Sequence, residues 1–376
     1  MTSLEKLLCE LIALPSVNPA FLPPGHAHAG EKRVGDFLGA KASRLGLEVL
    51  NEQVFPERSN VLVRLAPPGS VRQRILLAPH LDTVGVSDDA MLRPALHGGR
   101  IHGRGACDTK GCVAAMFYAV TELAHRKRRP QHTEIVFAGL VDEENNQSGS
   151  RALASGACRA ELAIVGEPTR LKVVTAHKGD LWLKLETRGR AAHGSTPHLG
   201  RNAVHAMAKI VDLLETEYAA ALNKHPHPLL GPATINVGSI QGGVQPNIVP
   251  DRCSISIDRR TIPGENDNAV RAEIMALLKR HKLSAEMSDT RGGPCLPMET
   301  PGDLPLVQQF LKAAAQRQPT GVNFFCDASV LSRAGIPSIV FGPGDIAQAH
   351  TADEWIATDS LARGAAILTR FFESLP

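Results

Sequence analysis

Ile75-Leu76-Leu77-Ala78-Pro79-His80-Leu81-Asp82-Thr83-Val84 is an apolar run that stops in His-x-Asp. That is the pattern of a strand buried on both faces of a parallel sheet, its last residues emerging at the carboxyl edge. Open α/β sheets bind their ligands at that edge. His80 and Asp82 are two apart and so share a side of extended backbone. An imidazole can ligate a metal through one nitrogen while a carboxylate holds the other, so His80 reads as a ligand and Asp82 as its orienter. Downstream, Gly103-Arg104-Gly105-Ala106-Cys107-Asp108-Thr109-Lys110-Gly111 is a glycine-rich turn opening a helix, where short backbone lets Asp108 approach an ion closely. The apolar segments 134–141 and 162–165 read as strands and run into Asp142-Glu143-Glu144 and Gly166-Glu167-Pro168. Three strands that end in metal-competent residues are expected to point into one crevice.

Working outward, 376 residues exceed one ordinary core and imply two domains. With 41 basic and 38 acidic residues the net charge is +3, which gives no electrostatic reason for a nucleic-acid partner. A small-molecule substrate is the expectation. The seven cysteines are scattered, odd in number and without C-x2-C pairs, which fits free thiols in a reducing, cytoplasmic setting. Residues 1–14 carry Glu5 and Glu10 inside an apolar pattern, so they read as an amphipathic helix and not as a signal peptide. No stretch approaches the roughly 20 apolar residues of a membrane span, and no membrane partner is expected.

The first helix ends at Pro15, and a second is expected over 30–45, followed by strands at 60–65 and 74–78. Residues 95–102 read as a hairpin about Gly98-Gly99, with His97 and His102 as ordinary hairpin residues. An apolar helix covers 112–124 and ends in the basic run His125-Arg126-Lys127-Arg128-Arg129-Pro130, expected to be a solvated helix end paired with the dipole. From about 175 the character changes. Strands at 181–188, 233–240, 253–261 and 284–288 alternate with helices at 202–222 and 268–281, in the order βαββαβ. Val204, Met207 or Ala208, Val211 and Leu214, like Val270, Ile274 and Leu277, recur at helical spacing, so each helix has one face to lay on an antiparallel sheet. After the turn Arg291-Gly292-Gly293-Pro294, a helix (304–316), a strand (337–341) and a last helix (359–374) resume the first style. The expected fold is thus α/β. A catalytic domain of residues 1–174 and 292–376, with a mostly parallel sheet flanked by helices, is interrupted by a ferredoxin-like βαββαβ domain of residues 175–291.

Collected, the candidate ligands are His80, Asp108, Glu144, Glu167 and His350. Two imidazoles and three carboxylates can hold two metals if one carboxylate bridges, and such pairs clamp both a water and a reacting carbonyl. Glu143, next to Glu144 but pointing elsewhere, is free to act as general base.

These motifs resemble the M20 family of metallopeptidases and amidohydrolases, which includes acetylornithine deacetylase, succinyl-diaminopimelate desuccinylase, aminoacylase and glutamate carboxypeptidases. The resemblance rests on His80-x-Asp82-Thr-Val, Gly103-Arg-Gly-x-x-Asp108-x-Lys-Gly111, Asp142-Glu143-Glu144, Gly166-Glu167-Pro168, Gly189-Arg-Ala-Ala-His193-Gly-Ser, Gln245-Pro-Asn247-Ile-Val-Pro250 and the closing His350. It implies two zinc ions, with cobalt or manganese as substitutes, bridged by Asp108. His80 and Glu167 would complete one metal's set, Glu144 and His350 the other's, with Glu143 as general base. It further implies that the inserted domain is a lid that forms a homodimer, that His193 reaches the partner subunit's site to stabilise an oxyanion, and that Asn247 and Arg260 contact substrate. Arg259, next door, leaves that last register open by one. The chain departs from the family's usual Gly-Thr-Asp-Ala at Phe325-Cys326-Asp327-Ala328, where a thiol replaces a hydroxyl. The tail Gln348-Ala349-His350-Thr351-Ala352-Asp353-Glu354 looks more like the acetylornithine deacetylase branch than the desuccinylase branch. The implied activity is hydrolysis of the amide bond of an N-acyl amino acid or short peptide. A dipeptidase, carboxypeptidase or desuccinylase is the alternative on the same fold, and a catalytically silent binding protein the alternative outside it.

Overall fold

A computed structural model describes the chain apart from residues 127–128, 157–158 and 291–292. The middle of the basic run, Cys158 and the Arg291-Gly292 turn therefore lie outside the described residues. The chain divides into two compact units, one of Met1–Thr175, Glu299–Thr320 and Cys326–Pro376, the other of Ala176–Met298 with Gly321–Phe325.

The first unit is built on a mixed, mostly parallel sheet. The strand Gln73–Pro79 lies at its centre, parallel to Thr133–Gly139 on one side and to Leu162–Gly166 on the other. Ser338–Val340 extends the parallel part beyond Leu162–Gly166. At the opposite end Arg58–Leu65 pairs antiparallel with Thr133–Gly139, and Glu48–Phe55 pairs antiparallel with Arg58–Leu65. The apolar run that opens the motif is fully buried from Ile75 to Ala78, as a strand covered on both faces must be. Glu48–Phe55 was not expected. It is an edge strand with no buried residue, so it lacks the apolar alternation that marks a half-buried strand.

Helices cover this sheet. Lys110–Ala124 is buried on nearly every side, which explains why it is apolar throughout instead of amphipathic. Its outer face packs under the amphipathic helices Ser3–Ile12 and Thr358–Glu373. The first of these starts at a reciprocal cap in which Thr2 and Glu5 satisfy each other's backbone N–H. Edge-to-face ring pairs run through the core, Phe117 with Phe137 and Phe310 with both Phe341 and Phe371. The hairpin of Ala95–His97 and Arg100–His102 turns at Gly98 and Gly99, both at positive φ. Trp355–Ala357 joins it as a third strand.

The second unit has the βαββαβ order. Its antiparallel sheet runs Thr234–Gly242, Arg252–Thr261, Gly179–Arg188, Glu286–Asp289, the ferredoxin-like arrangement. Helices Ala203–Leu213 and Asp267–Arg280 lay Met207, Ile210, Val270, Ile274 and Leu277 on it. The single helix expected over 202–222 is instead α-helical to Leu213, passes through a π turn at Leu214–Tyr218, and resumes at Ala219–Leu222. Among the described residues no helix is long and apolar enough to cross a membrane.

Candidate metal centre

Each parallel strand of the first unit delivers site residues from its carboxyl end. His80 follows Gln73–Pro79, Glu143 and Glu144 follow the turn after Thr133–Gly139, Glu167 follows Leu162–Gly166, and His350 comes from the loop after Ser338–Val340. Asp108 hangs from the loop before Lys110–Ala124. That loop needs its glycines: Gly103 and Gly105 are at φ 142° and 82°, and a Cβ on Gly103 would stand 2.6 Å from an Ile12 methyl.

Asp108 is the centre of the arrangement. Its Oδ1 is 3.2 Å from His80 Nε2, and its Oδ2 is 3.3 Å from His350 Nε2. Glu144 Oε2 is also 3.3 Å from His350 Nε2, and Glu167 Oε1 is 3.9 Å from His80 Nε2. The two carboxylate oxygens of Asp108 thus face two separate groups, His80 with Glu167 and His350 with Glu144. Donor atoms of His80, Asp108 and Glu144 all fall within 4.8 Å of one another. His80, Asp108 and Glu167 are buried, whereas the His350 side chain is 55 % exposed, so the site opens to solvent on that side.

Asp82 does more than orient the ring beside it. His80 Nδ1 lies 3.0 Å from the Asp82 backbone oxygen and 3.4 Å from its carboxylate. The same carboxylate accepts the backbone N–H groups of Glu143 and Glu144, both at 3.1 Å, and the Asn18 amide at 2.7 Å. Asn18 also bonds Asp142, whose carboxylate takes Arg58 and Ser148 as well, while Glu31 accepts the Asp142 N–H and a two-pronged contact from Arg58. Asp142 and His350 both have left-handed backbone, at φ 68° and 61°. Aspartate and histidine tolerate that region better than branched residues do, and such turns persist where surroundings hold them.

Six carboxylates, those of Asp82, Asp108, Glu143, Glu144, Glu167 and Asp327, crowd together here with the buried imidazole of His80 and the half-exposed one of His350. Burial pushes Glu143 and Glu167 well above the usual carboxylate range, and the neighbouring acids add to it against the pull of His80. Burial also lifts Asp327 to about 6, although its carboxylate accepts the Ser150 hydroxyl. Asp108 is held low: burial works against its charge, but His350 and His80 outweigh it. His350 is raised to about 10 by Asp108 and Glu144. His80 is raised too, its burial overcome by Asp108 and Asp82. Protons shared among buried acids are what such a cluster resorts to without a cation. Glu144 Oε1 is moreover buried with no hydrogen-bond partner among the described residues. Excess acid, imidazole nitrogens turned inward and an orphaned carboxylate oxygen fit divalent metal.

The remaining expected site residues belong to the second unit. His193 and Asn247 are neighbours there: Gly194 N–H donates to the Asn247 carbonyl at 2.7 Å, and His193 bridges Ile248. The exposed His193 ring accepts the Ser195 N–H at Nδ1, which leaves Nε2 carrying the hydrogen. Arg260 makes a two-pronged contact with Asp258 at 2.8 and 2.9 Å. Arg259 is sealed, fully buried against Tyr218 and Glu265.

Peptidase family M20/M25/M40 matches residues 76–374, most of the chain. This chain belongs to that family. Its curated relatives include acetylornithine deacetylase of Myxococcus xanthus, 32 % identical over 84 % of this chain and 83 % of the relative. Another is acetylornithine deacetylase of Edwardsiella ictaluri, 30 % identical over 96 % and 94 %. Among solved structures, an M20 family metallo-carboxypeptidase of Sulfolobus solfataricus matches with a TM-score of 0.77 at 18 % identity, over 99 % of both chains. At that identity the likeness speaks for the fold alone. As an M20 protein with its acidic-imidazole cluster intact, the chain is a metal-dependent hydrolase of amide bonds.

Several residues of the site were not legible beforehand. Asn18, Glu31 and Arg58 sit far from the motifs in sequence. Glu354 appeared only as part of the closing motif. No periodicity marks a lone buried carboxylate whose partners lie about 250 residues away.

Proposed function

We propose that the protein removes the acyl group from an N-acyl amino acid, as an acetylornithine deacetylase does, using two zinc ions. The observation that carries this is the division of Asp108 between His80 with Glu167 and His350 with Glu144, the donor set of a bridged pair. Metal ions held there supply Lewis-acid polarisation of the scissile carbonyl and lower the pKa of the attacking water. Cobalt or manganese fits the same oxygen-rich donors.

The chain's own groups do the rest. Glu143 takes the proton of the attacking water and hands it to the leaving amine. Burial and the neighbouring acids raise its carboxyl above the ordinary range, the direction that suits a group which must take up a proton and pass it on. Asp82 keeps the 143–144 backbone in place, so the base stays aimed. His193, with hydrogen on Nε2, is the donor for the developing oxyanion, supplied by a second subunit across a homodimer. The second unit serves as lid and dimerisation domain. Arg260 and Asn247 bind the substrate carboxylate and amide. The sealed position of Arg259 favours Arg260 for this, since a guanidinium must reach a carboxylate to fork onto it. Buried free thiols at Cys107, Cys112 and Cys326 support a reducing, cytoplasmic location.

A hydrolysis panel of N-acetyl amino acids, succinyl-diaminopimelate and dipeptides, run on metal-loaded protein, tests the reading. The expected result is preferential cleavage of an acetylated amino acid. Preferential cleavage of dipeptides would replace the deacylase reading with a peptidase one, and no turnover of any of them would overturn both.

A further inference from the structure

Glu354 lies four residues beyond His350 and is 2 % exposed. Its carboxylate accepts four hydrogen bonds, all from the loop that carries Asp108. Oε1 takes the backbone N–H of Cys107 at 2.8 Å and of Asp108 itself at 2.9 Å. Oε2 takes Gly105 N–H at 2.9 Å and Arg104 Nη1 at 2.8 Å. The Glu354 backbone carbonyl accepts a further N–H, from Gly103 at 3.0 Å. From Gly103 to Asp108 the loop is therefore wrapped around one side chain from the far end of the chain.

We propose that Glu354 is a positioning residue for the metal centre: it sets the direction of the Asp108 carboxylate and ties it to His350 through one short segment. This rests on the metal-centre reading above. His350 and Glu354 are covalently four residues apart, so the clamp on the Asp108 loop also fixes how far His350 stands from Asp108. A loop whose backbone N–H groups converge on an anion has few other conformations open to it. Neutral replacement is harsh for a geometric reason. Both oxygens of Glu354 act only as acceptors, two donors each. A glutamine must turn its NH2 toward one of those donor pairs, and neither amide orientation avoids that.

The test uses the full chain stripped of metal and titrated with Co2+ against a chelator, together with the visible absorption spectrum of the bound ion. Glu354→Gln is expected to lower Co2+ affinity by about ten- to a hundredfold, in the range for groups that orient metal ligands, and to alter the spectrum, because Asp108 no longer presents the same two oxygens. The melting temperature of the metal-free protein is read alongside. A variant that melts earlier but binds Co2+ as tightly as the parent, with the same spectrum, would make Glu354 a merely structural residue and overturn the inference. If Glu354→Gln does not fold, Glu354→Asp keeps the charge but falls one methylene short. It is expected to lose affinity in the same sense, and unchanged affinity and spectrum overturn the inference again. Failure of the parent itself to bind Co2+ would overturn the metal reading and this inference together, whereas parental binding with an unaffected variant removes only the role of Glu354.

Discussion

His80 at the carboxyl end of its strand and Asp108 in the loop before Lys110–Ala124 are residue types whose ligand chemistry leaves a local mark, as is Glu143, the proposed base. Their supports leave none. Asp82 turned out to hold the backbone of Glu143 and Glu144 as well as the ring beside it, and that follows only from how the chain folds back. Glu143→Ala in metal-loaded protein is expected to lower kcat by about a hundredfold or more with metal content unchanged, read by steady-state kinetics and elemental analysis. Near-normal turnover would end its role as base. His177 offers a prediction independent of the site. Burial pushes its imidazole down to about 4, and Nε2 has no hydrogen-bond partner among the described residues. A histidine that is free at about 6.5 when unfolded takes up a proton on unfolding between those two values. The stability it contributes is therefore complete above about pH 6.5 and is lost as the pH falls toward 4, on the order of 3 kcal/mol in all. Urea unfolding at a series of pH values is expected to give a shallower acid loss for His177→Gln than for the parent. An identical slope would mean the proton goes elsewhere.

Among the elements, those with a strong period were readable: the buried run 75–78, the apolar helix Lys110–Ala124 and the amphipathic helices of the second unit. Those without one were missed or blurred, as with the exposed edge strand Glu48–Phe55 and the π turn at Leu214–Tyr218, since neither changes the pattern of apolar positions. Packing between helices and sheet also defies local reading. Phe310, on Pro305–Ala313, meets Phe341 at 5.0 Å and Phe371 at 4.9 Å, joining the helix to the strand segment and the last helix. It is fully buried. Phe310→Ala is expected to cost about 3–5 kcal/mol through lost burial and the cavity left behind, measured by chemical denaturation of the metal-free protein. A loss below about 1 kcal/mol would mean that the helix can collapse into the gap.

At the scale of the whole molecule, the second unit exposes His193, which is bridged to the exposed Ile248, and exposes Val244 to 90 %. Exposed apolar residues of this kind mark interaction surfaces. The homodimer proposed here is expected to sediment at twice the chain mass in its active form, and His193→Ala to lower kcat by about a hundred- to a thousandfold, the range for a lost oxyanion donor. A fully active monomer would sink the role of His193. By itself the sequence determined the class of fold and the family and marked the candidate ligands, because burial periodicity and ligand type are properties of short segments. Only the tertiary structure decided that Asp108 turns one oxygen to His80 and the other to His350, that Asn18 and Asp82 brace the Glu143 turn, and that Glu354 grips the Asp108 loop. Those relations depend on contacts across 28 to 246 residues of chain, where spacing carries no information and the folding of the chain supplies it.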